Sequence, residues 1–350
     1  MRSLIKKLIN TYFLPPLWRL AVWWPLLADI YFVFSGTFRR EHRAVLHGKL
    51  QHTSATKEAD DQGSIYTLRR NVHRLEKGLV YRPRRDVFAR DYIGDTVAIY
   101  QVLLQDPNER IAPLLKWAHD VLKEYFSVVA SDPAIDPPRE KFAALPPCSA
   151  CTSAAEEWIP YQRDSTPLNI TIEDLEKLAW RRRSVRWYQD KPVPREVIDR
   201  AMEVAKLSPS ACNRQPFEFR VLDDVELARK VGAIPMGTTG FSQNFPCLVV
   251  IVGDLNAYFS ERDRHVIYVD GGLAAMAFQF ALEVQGVGSC CINWPDIEPL
   301  EKKMAKALNL DYNHRPVMCI SLGYPDPTGT VPYSQKKSLD EIRSYNKVSK

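Results

Sequence analysis

The sequence predicts a layered fold of helices and strands, α/β or α+β, in its second half, with a mainly helical region ahead of it. Three observations lead there. Beyond about residue 170, short apolar β-branched runs alternate with longer segments whose apolar residues recur every three to four positions. Before about residue 130 only the helical period is present. Between them, seven prolines fall within residues 131–170, a density that interrupts both patterns and marks an extended linker.

Residues 1–36 form a basic, Trp-rich amphipathic segment. Leu4, Ile5, Leu8, Ile9, Tyr12 and Phe13 recur at helical spacing, with Lys6 and Lys7 on the other side. After Pro15-Pro16 the stretch from Leu17 to Phe34 is apolar but interrupted by Arg19, Pro25 and Asp29. A spanning helix needs about 20 mostly apolar residues, and charges near its middle are costly. An uncharged stretch followed by a small-residue cleavage site, as in a signal peptide, is also missing. Trp, Tyr and basic side chains favour the headgroup region, so the segment reads as an in-plane anchor on a membrane surface. It reads equally as a helix packed against the protein itself or a second copy. The implied location is cytoplasmic, peripheral at the inner face of the membrane.

Residues 37–130 are a helical region, of which 37–62 are polar enough for a linker or a solvated helix. Leu68, Val72, Leu75 and Leu79 share one face. Tyr92, Ile93, Val97, Tyr100 and Leu104 form a second run, and Leu114, Leu115, Ala118, Val121, Leu122 and Phe126 a third. His73, Arg74, Glu76 and Lys77 crowd ionisable groups ahead of Gly78. They either line a site or form the charged face of a helix that ends at that glycine.

In the second half a capping Thr171 with Glu173 and Asp174 opens a helix that runs to an arginine cluster. Pro194 is expected at the first position of the next helix, with Val197, Ile198, Ala201, Met202 and Ala205 on its buried side. Strands are predicted at 217–222, 248–252, 288–292 and 317–322, with a small-residue helix from Gly271 to Val284.

Charge and cysteines limit the partners. The net charge is +5, but residues 1–50 hold eight Lys/Arg against two acids, so the remaining 300 residues carry about −1. No basic stripe runs through the folded portion, and no nucleic-acid partner is expected. The seven cysteines are an odd number and several sit in apolar runs, which suits buried free thiols rather than a disulfide framework. Cys148 and Cys151 have the spacing of half a zinc site, but a second pair is missing, so no metal is expected.

Three segments carry the chemistry. In Arg181-Arg182-Arg183-Ser184-Val185-Arg186, arginines with a hydroxyl between them suit a phosphate and the polar edge of a flat ring, though alone they read as a solvated basic patch. In Ser208-Pro209-Ser210-Ala211-Cys212-Asn213-Arg214-Gln215-Pro216, two prolines fix a turn whose Asn and Gln offer donors and acceptors together. In Gly286-Val287-Gly288-Ser289-Cys290-Cys291-Ile292-Asn293-Trp294, small residues at a helix-to-strand junction would let backbone N–H groups approach a ligand.

In this order and separation the segments resemble the nitroreductase family of FMN enzymes. Its pattern is an Arg-x-Ser-x-Arg/Lys motif followed about 25 residues later by a Pro-Ser-x-x-Asn-x-Gln-Pro turn. Here these stand as Arg182-Arg183-Ser184-Val185-Arg186 and Pro209 to Pro216. Asp190-Lys191-Pro192-Val193-Pro194, Gly288-Ser289-Cys290 and Leu322-Gly323-Tyr324-Pro325 resemble its connecting and final segments. The likeness spans residues 170–345 and makes 171–350 an FMN-binding domain. It implies an α+β fold, a mixed sheet flanked by helices, and a homodimer with FMN at the subunit interface. It also implies hydride transfer from NADH or NADPH to a small-molecule substrate in ping-pong fashion.

By motif, Arg182, Arg183, Ser184 and Arg186 would hold the phosphate, ribityl chain and pyrimidine edge. Pro209, Ser210, Ala211, Asn213 and Gln215 would line the ring, some from the partner subunit. Ile292, Asn293 and Trp294 would face the flavin N5, and Lys336 or Lys337 would add a late phosphate contact. No nucleophile or general base is named. Three features depart from the family: Phe217 where Trp is usual, Asn293-Trp294 where Gly is frequent, and an N-terminal extension of about 165 residues. The competing function is a membrane-associated accessory protein that binds flavin or a nucleotide without redox turnover.

Overall fold

The computed structural model describes residues 12–54, 62–105, 108–146 and 156–346. The helical run expected over Leu4–Ile9 and the pair Cys148 and Cys151 lie outside these residues.

Two short helices, α1 (Leu14–Trp23) and α2 (Pro25–Ser35), meet at Trp24, where the chain becomes extended just before a proline that sets the next helix start. Among their described residues only Ala21 is buried, while Val22, Trp23, Trp24, Val33 and Phe34 stand in solvent.

The segment read as a linker or solvated helix is a docked helix, α3 (Arg39–Ser54). Ala44 and Val45 pack with Leu255, Ala257, Tyr258 and Ile267 of the second half. Gly48 lies so close to Leu255 that a methyl group there would sit 2.7 Å from its carbonyl carbon. Arg40 is buried and donates to Glu301 Oε2 at 2.8 Å. The polar composition hid a narrow small-residue seam.

Helices α4 (Gln62–Val80), α5 (Ile93–Leu104) and α6 (Ala112–Val128) enclose their own core of Leu68, Val72, Leu75, Val97, Tyr100, Leu115 and Leu122, the residues whose spacing announced them. Gly78 does not end α4, which continues to Val80; its missing side chain makes room for the Phe88 ring. The proline-rich stretch is not wholly extended. It holds α7 (Asp136–Ala143), and Ile135 just before that helix is fully buried against the α4–α6 core.

In the second half, α8 (Ile172–Arg181) and α9 (Arg195–Ala205) precede strand β1 (Phe217–Leu222). Pro194 caps α9 instead of beginning it: its ring gives φ of −58°, but ψ stays extended at 142°. Then follow α10 (Val225–Gly232), β2 (Cys247–Asp254), α11 (Val266–Val284), β3 (Gly288–Asn293), α12 (Glu298–Leu308), β4 (His314–Gly323) and a terminal turn of helix, α13 (Leu339–Ile342). Helix α11 begins five residues before the expected Gly271, because Val266 and Ile267 extend its apolar run.

The sheet order is β1-β2-β4-β3 and each pairing is antiparallel, with Val250 opposite Cys319 and Cys290 opposite Ser321. Among the described residues the parallel pairing expected of a mixed sheet is confined to the Ser184–Ser289 bridge at the β3 edge. The α11 crossover does return β3 in the direction of β2, but β4 inserts between them and opposes both.

All of β2 is buried because both sheet faces are covered. Val249 and Ile251 meet α9 and α11, while Leu248, Val250 and Val252 meet α10 and α12. Burying each such side chain stabilises by about 1.5–3 kcal/mol. Among the described residues one helical stretch, Glu261–Val284, is long and apolar enough by composition to cross a membrane, and it contains this core helix α11.

Candidate functional site

The arginine segment is laid against the sheet edge by its neighbours on both sides. A reciprocal capping box between Thr171 and Asp174 starts α8, and Arg181 at its end pairs with Glu283 of α11 at 2.9 Å. Arg182 then turns extended. Ser184 forms a parallel bridge to Ser289, and the Val185 N–H donates to Ser289 O at 3.1 Å. Tyr188 anchors the far end, its hydroxyl donating to Val185 O at 2.7 Å and lying 2.9 Å from Ser321 Oγ.

Gly288 and Gly323 exist for this packing. A side chain at Gly288 would meet Val185 and Pro325, and one at Gly323 would meet Pro246 and Tyr188. The small residues expected to admit a ligand therefore admit the arginine segment at Gly288; Gly286, at φ +77°, serves the turn before β3.

The four residues of this motif have distinct surroundings. Arg182 is half-buried, and its Nε is enclosed without a hydrogen-bond partner among the described residues. Arg183 folds back to donate to Ala179 O and Arg182 O and stacks on Trp180, 4.8 Å from the ring centre. A cleft of about 620 Å³ lies between that pair and the C-terminal segment, and Lys336 also lines it. Lys337 is exposed beside it. Arg186 lies 5.6 Å from the Phe241 ring. Burial pushes the Cys290 thiol up, with Arg186 and Ser184 opposing the shift, so it stays protonated at neutral pH.

On β3 itself Ile292 is buried and Asn293 is exposed. The Trp294 indole turns into the core and donates to Glu301 Oε1 at 2.6 Å, the carboxylate that Arg40 also holds. The Ile292 and Trp294 side chains are thus turned inward, which leaves the backbone and the exposed Asn293 side chain for a ligand.

The second motif forms a strained turn. Cys212, Asn213 and Gln215 have φ of 54°, 52° and 52°, a left-handed region costing a non-glycine residue of order 1–2 kcal/mol each. What holds them is local and tertiary. Gln215 N–H donates to Ser210 Oγ at 3.1 Å, the Gln215 amide donates to Asn213 Oδ1 at 3.1 Å, and the Ala211 N–H donates to Asp270 Oδ2 at 2.9 Å. Pro209 is exposed at the start of the turn, while Ser210, Ala211, Asn213 and Gln215 are half-buried. The far side of the turn rests on α4 of the extension. Asp270 was not singled out from sequence; an acid placed just before a Gly-Gly step in an otherwise apolar helix was the signal.

Within one chain the two motifs do not meet. Among the described residues no hydrogen bond joins residues 182–186 to residues 209–215; the cleft at Arg183 does not reach the turn, and a second cleft of about 990 Å³ at Asn213 and Gln215 does not reach the arginines. Beside them an apolar face lies open, with Val269, Leu273, Met276 and Val284 on α11 and Ile172, Leu175 and Trp180 on α8 exposed.

The charged cluster on α4 is mostly engaged. His73 Nδ1 lies 3.5 Å from Glu76 Oε2, Trp117 donates to Glu76 Oε1 at 2.9 Å, and Arg74 stacks 3.7 Å over Tyr92. Lys77 borders a small hollow with Arg74, Arg85 and Tyr81.

A model described as the nitroreductase family matches residues 179–239 and 237–324. A protein of Archaeoglobus fulgidus assigned as an NADH dehydrogenase/NAD(P)H nitroreductase is 30% identical over 158 residues, covering 44% of this chain and 87% of that one. Iodotyrosine deiodinase 1 of Sus scrofa is 23% identical over 217 residues, covering 53% of this chain and 74% of that one. Among solved structures, an FMN-dependent nitroreductase from Clostridium difficile has a TM-score of 0.42 and 25% identity over 48% of this chain and 98% of its own.

Proposed function

The chain belongs to the nitroreductase family, and from that premise we propose that it is an FMN-dependent NAD(P)H oxidoreductase, homodimeric and peripheral at a membrane surface. The observation that carries the cofactor reading is Arg182, whose buried Nε has no protein partner among the described residues, in a segment that also presents Ser184 and Arg186 along β3. A guanidinium cannot shed its proton, so this enclosed N–H is free to donate to an acceptor from outside the chain.

We assign the phosphate and ribityl chain to Arg182, Arg183, Ser184, Lys336 and Lys337, and the pyrimidine edge to Arg186. Pro209, Ser210, Ala211, Asn213 and Gln215 line the ring, with the backbone of Ile292, Asn293 and Trp294 beyond it. Because the clefts at one chain's two motifs are separate, the turn over each ring comes from the second copy, which seats on the open face of α8 and α11. The strain at Cys212, Asn213 and Gln215 fits a turn preorganised for this task.

When bound, FMN supplies the hydride-accepting N5, and donor and acceptor use one face in turn, so turnover is ping-pong. The protein's part is to bind, orient and exclude water. Arg182 and Arg186 supply a positive edge where negative charge develops. Cys290, kept protonated by burial, adds no competing nucleophile.

Purified protein should carry flavin absorbance that NADH or NADPH bleaches under anaerobic conditions. Flavin that neither donor bleaches would favour the accessory reading. Arg182→Ala combined with Arg186→Ala should strip the cofactor, and stoichiometric flavin retained in that variant would show the assigned site to be wrong.

A further inference from the structure

Two cavities meet at one arginine where the extension covers the second motif. The smaller, of about 410 Å³, lies between α4 and β1 and is lined by Arg69, Arg110, Arg214 and Arg220 with Glu218 and Asp254. The larger, of about 990 Å³, is walled by Trp117, Trp158, Tyr161 and Leu207 and reaches Asn213. Arg69 and Gln215 line both.

The smaller cavity has more cations than its acids can satisfy. Glu218 is taken by Arg220 at 2.6 Å. Asp254 accepts from the Tyr66 hydroxyl at 3.1 Å, from Asn313 at 2.7 Å and from the Asn256 N–H at 2.8 Å, with His314 4.0 Å away. Arg214 is buried over the Tyr258 ring with its Nε unpartnered. Arg69 makes no side-chain hydrogen bond or ion pair among the described residues, and burial lowers its pKa. Arg110 is exposed at the rim. Unpaired guanidinium groups lining one cleft have the charge and the donors to grip a carboxylate or phosphate.

The larger cavity has rigid flat walls. The Trp117 indole is fixed by Glu76. The Trp158 backbone N–H donates to Asp120, which also holds Lys116 at 2.6 Å, and Lys116 lies 5.2 Å from the Trp158 ring. Of the acids around this cavity, Glu76 is engaged by Trp117 and His73, and Glu157 by Lys123. Glu156 is exposed.

We propose that the N-terminal extension builds the substrate site: a flat aromatic body enters between Trp117 and Trp158, and its oxyanion is held by Arg69 with Arg110 and Arg214. The placement of this site beside the cofactor rests on the flavin reading above; the oxyanion site itself does not.

Calorimetry on the full chain with 4-nitrobenzoate, 4-nitrophenyl phosphate and neutral 4-nitrobenzamide tests it. Both anions should bind about tenfold more tightly than the amide, a difference of roughly 1.4 kcal/mol. Arg69→Gln, and the rim variant Arg110→Gln where folding is not at risk, should each remove most of that preference while the amide affinity and flavin content hold. Trp117→Leu should weaken all three probes together. Equal affinity for anion and amide in the unaltered protein would overturn the proposal. So would an Arg69→Gln protein whose only change is a raised KM for the nicotinamide donor. Anion-selective binding by a protein without flavin would sink the cofactor reading and leave this site standing; flavin with unselective binding would do the reverse.

Discussion

Asp270 ties the strained turn to the core through one hydrogen bond to the Ala211 N–H, and burial raises its carboxyl pKa above the ordinary value. A carboxyl raised in the folded state contributes stability below its unfolded pKa and loses it as pH rises through the folded value, so its charge costs stability at neutral pH. Asp270→Asn keeps an acceptor for Ala211 without that charge. It should therefore be at least as stable as the unaltered protein at pH 7.5, with the gap closing as pH falls below the usual carboxylate range, read from urea midpoints. Asp270→Ala removes the acceptor and should cost about 1–3 kcal/mol, with flavin lost on dilution. Equal flavin retention in both variants would show that Asp270 does not hold the turn. The motif Pro-Ser-x-x-Asn-x-Gln-Pro was legible at this scale because its residue types are unusual together. Asp270 and Arg69 were not, since what marks them is a partner, or the lack of one, far away in sequence.

At the scale of elements, α3 is the instructive case. Its sequence is mostly polar; Ala44, Val45 and Gly48 make its close apolar contact with the second half, and His47 and His52 add polar contacts to Asn313 at 3.0 Å and to Asn256 O at 2.8 Å. Its main bond, Arg40 to Glu301, joins residues 261 positions apart. Glu301 also accepts from Trp294 and sits 3.6 Å from Arg315, which pairs with Asp296 at 3.0 Å. Removing one member of such a buried set leaves an uncompensated charge, so Arg40→Met should destabilise by about 3 kcal/mol. A loss of stability below a third of that would mean α3 docks through its small residues and its histidine contacts without needing Arg40. Helices α4 to α6 and the four strands were legible because burial on one face leaves a period in the sequence, while a seam only one residue wide leaves none.

Taken whole, the molecule joins a nitroreductase-type module to an extension that has its own core and is bolted to the module by α3, while the α1–α2 pair stays apolar and open. Val22, Trp23 and Phe34 are each more than 80% exposed, with Arg19 and Arg39 beside them in solvent. Deleting residues 1–36 should leave flavin content and thermal midpoint unchanged and abolish sedimentation with phosphatidylglycerol vesicles; undiminished sedimentation would end the membrane reading. The sequence by itself determined helices α4 to α6, α8, α9 and α11, the four strands and the family motifs, because these depend on local period and on residue types a few positions apart; α7, α10 and α12 it did not announce. The tertiary structure alone decided that β4 lies between β2 and β3, that α3 is docked, and that Arg69 and Arg214 face one cavity. Each of those depends on which distant surfaces meet, and a chain carries no local trace of a contact made hundreds of residues away.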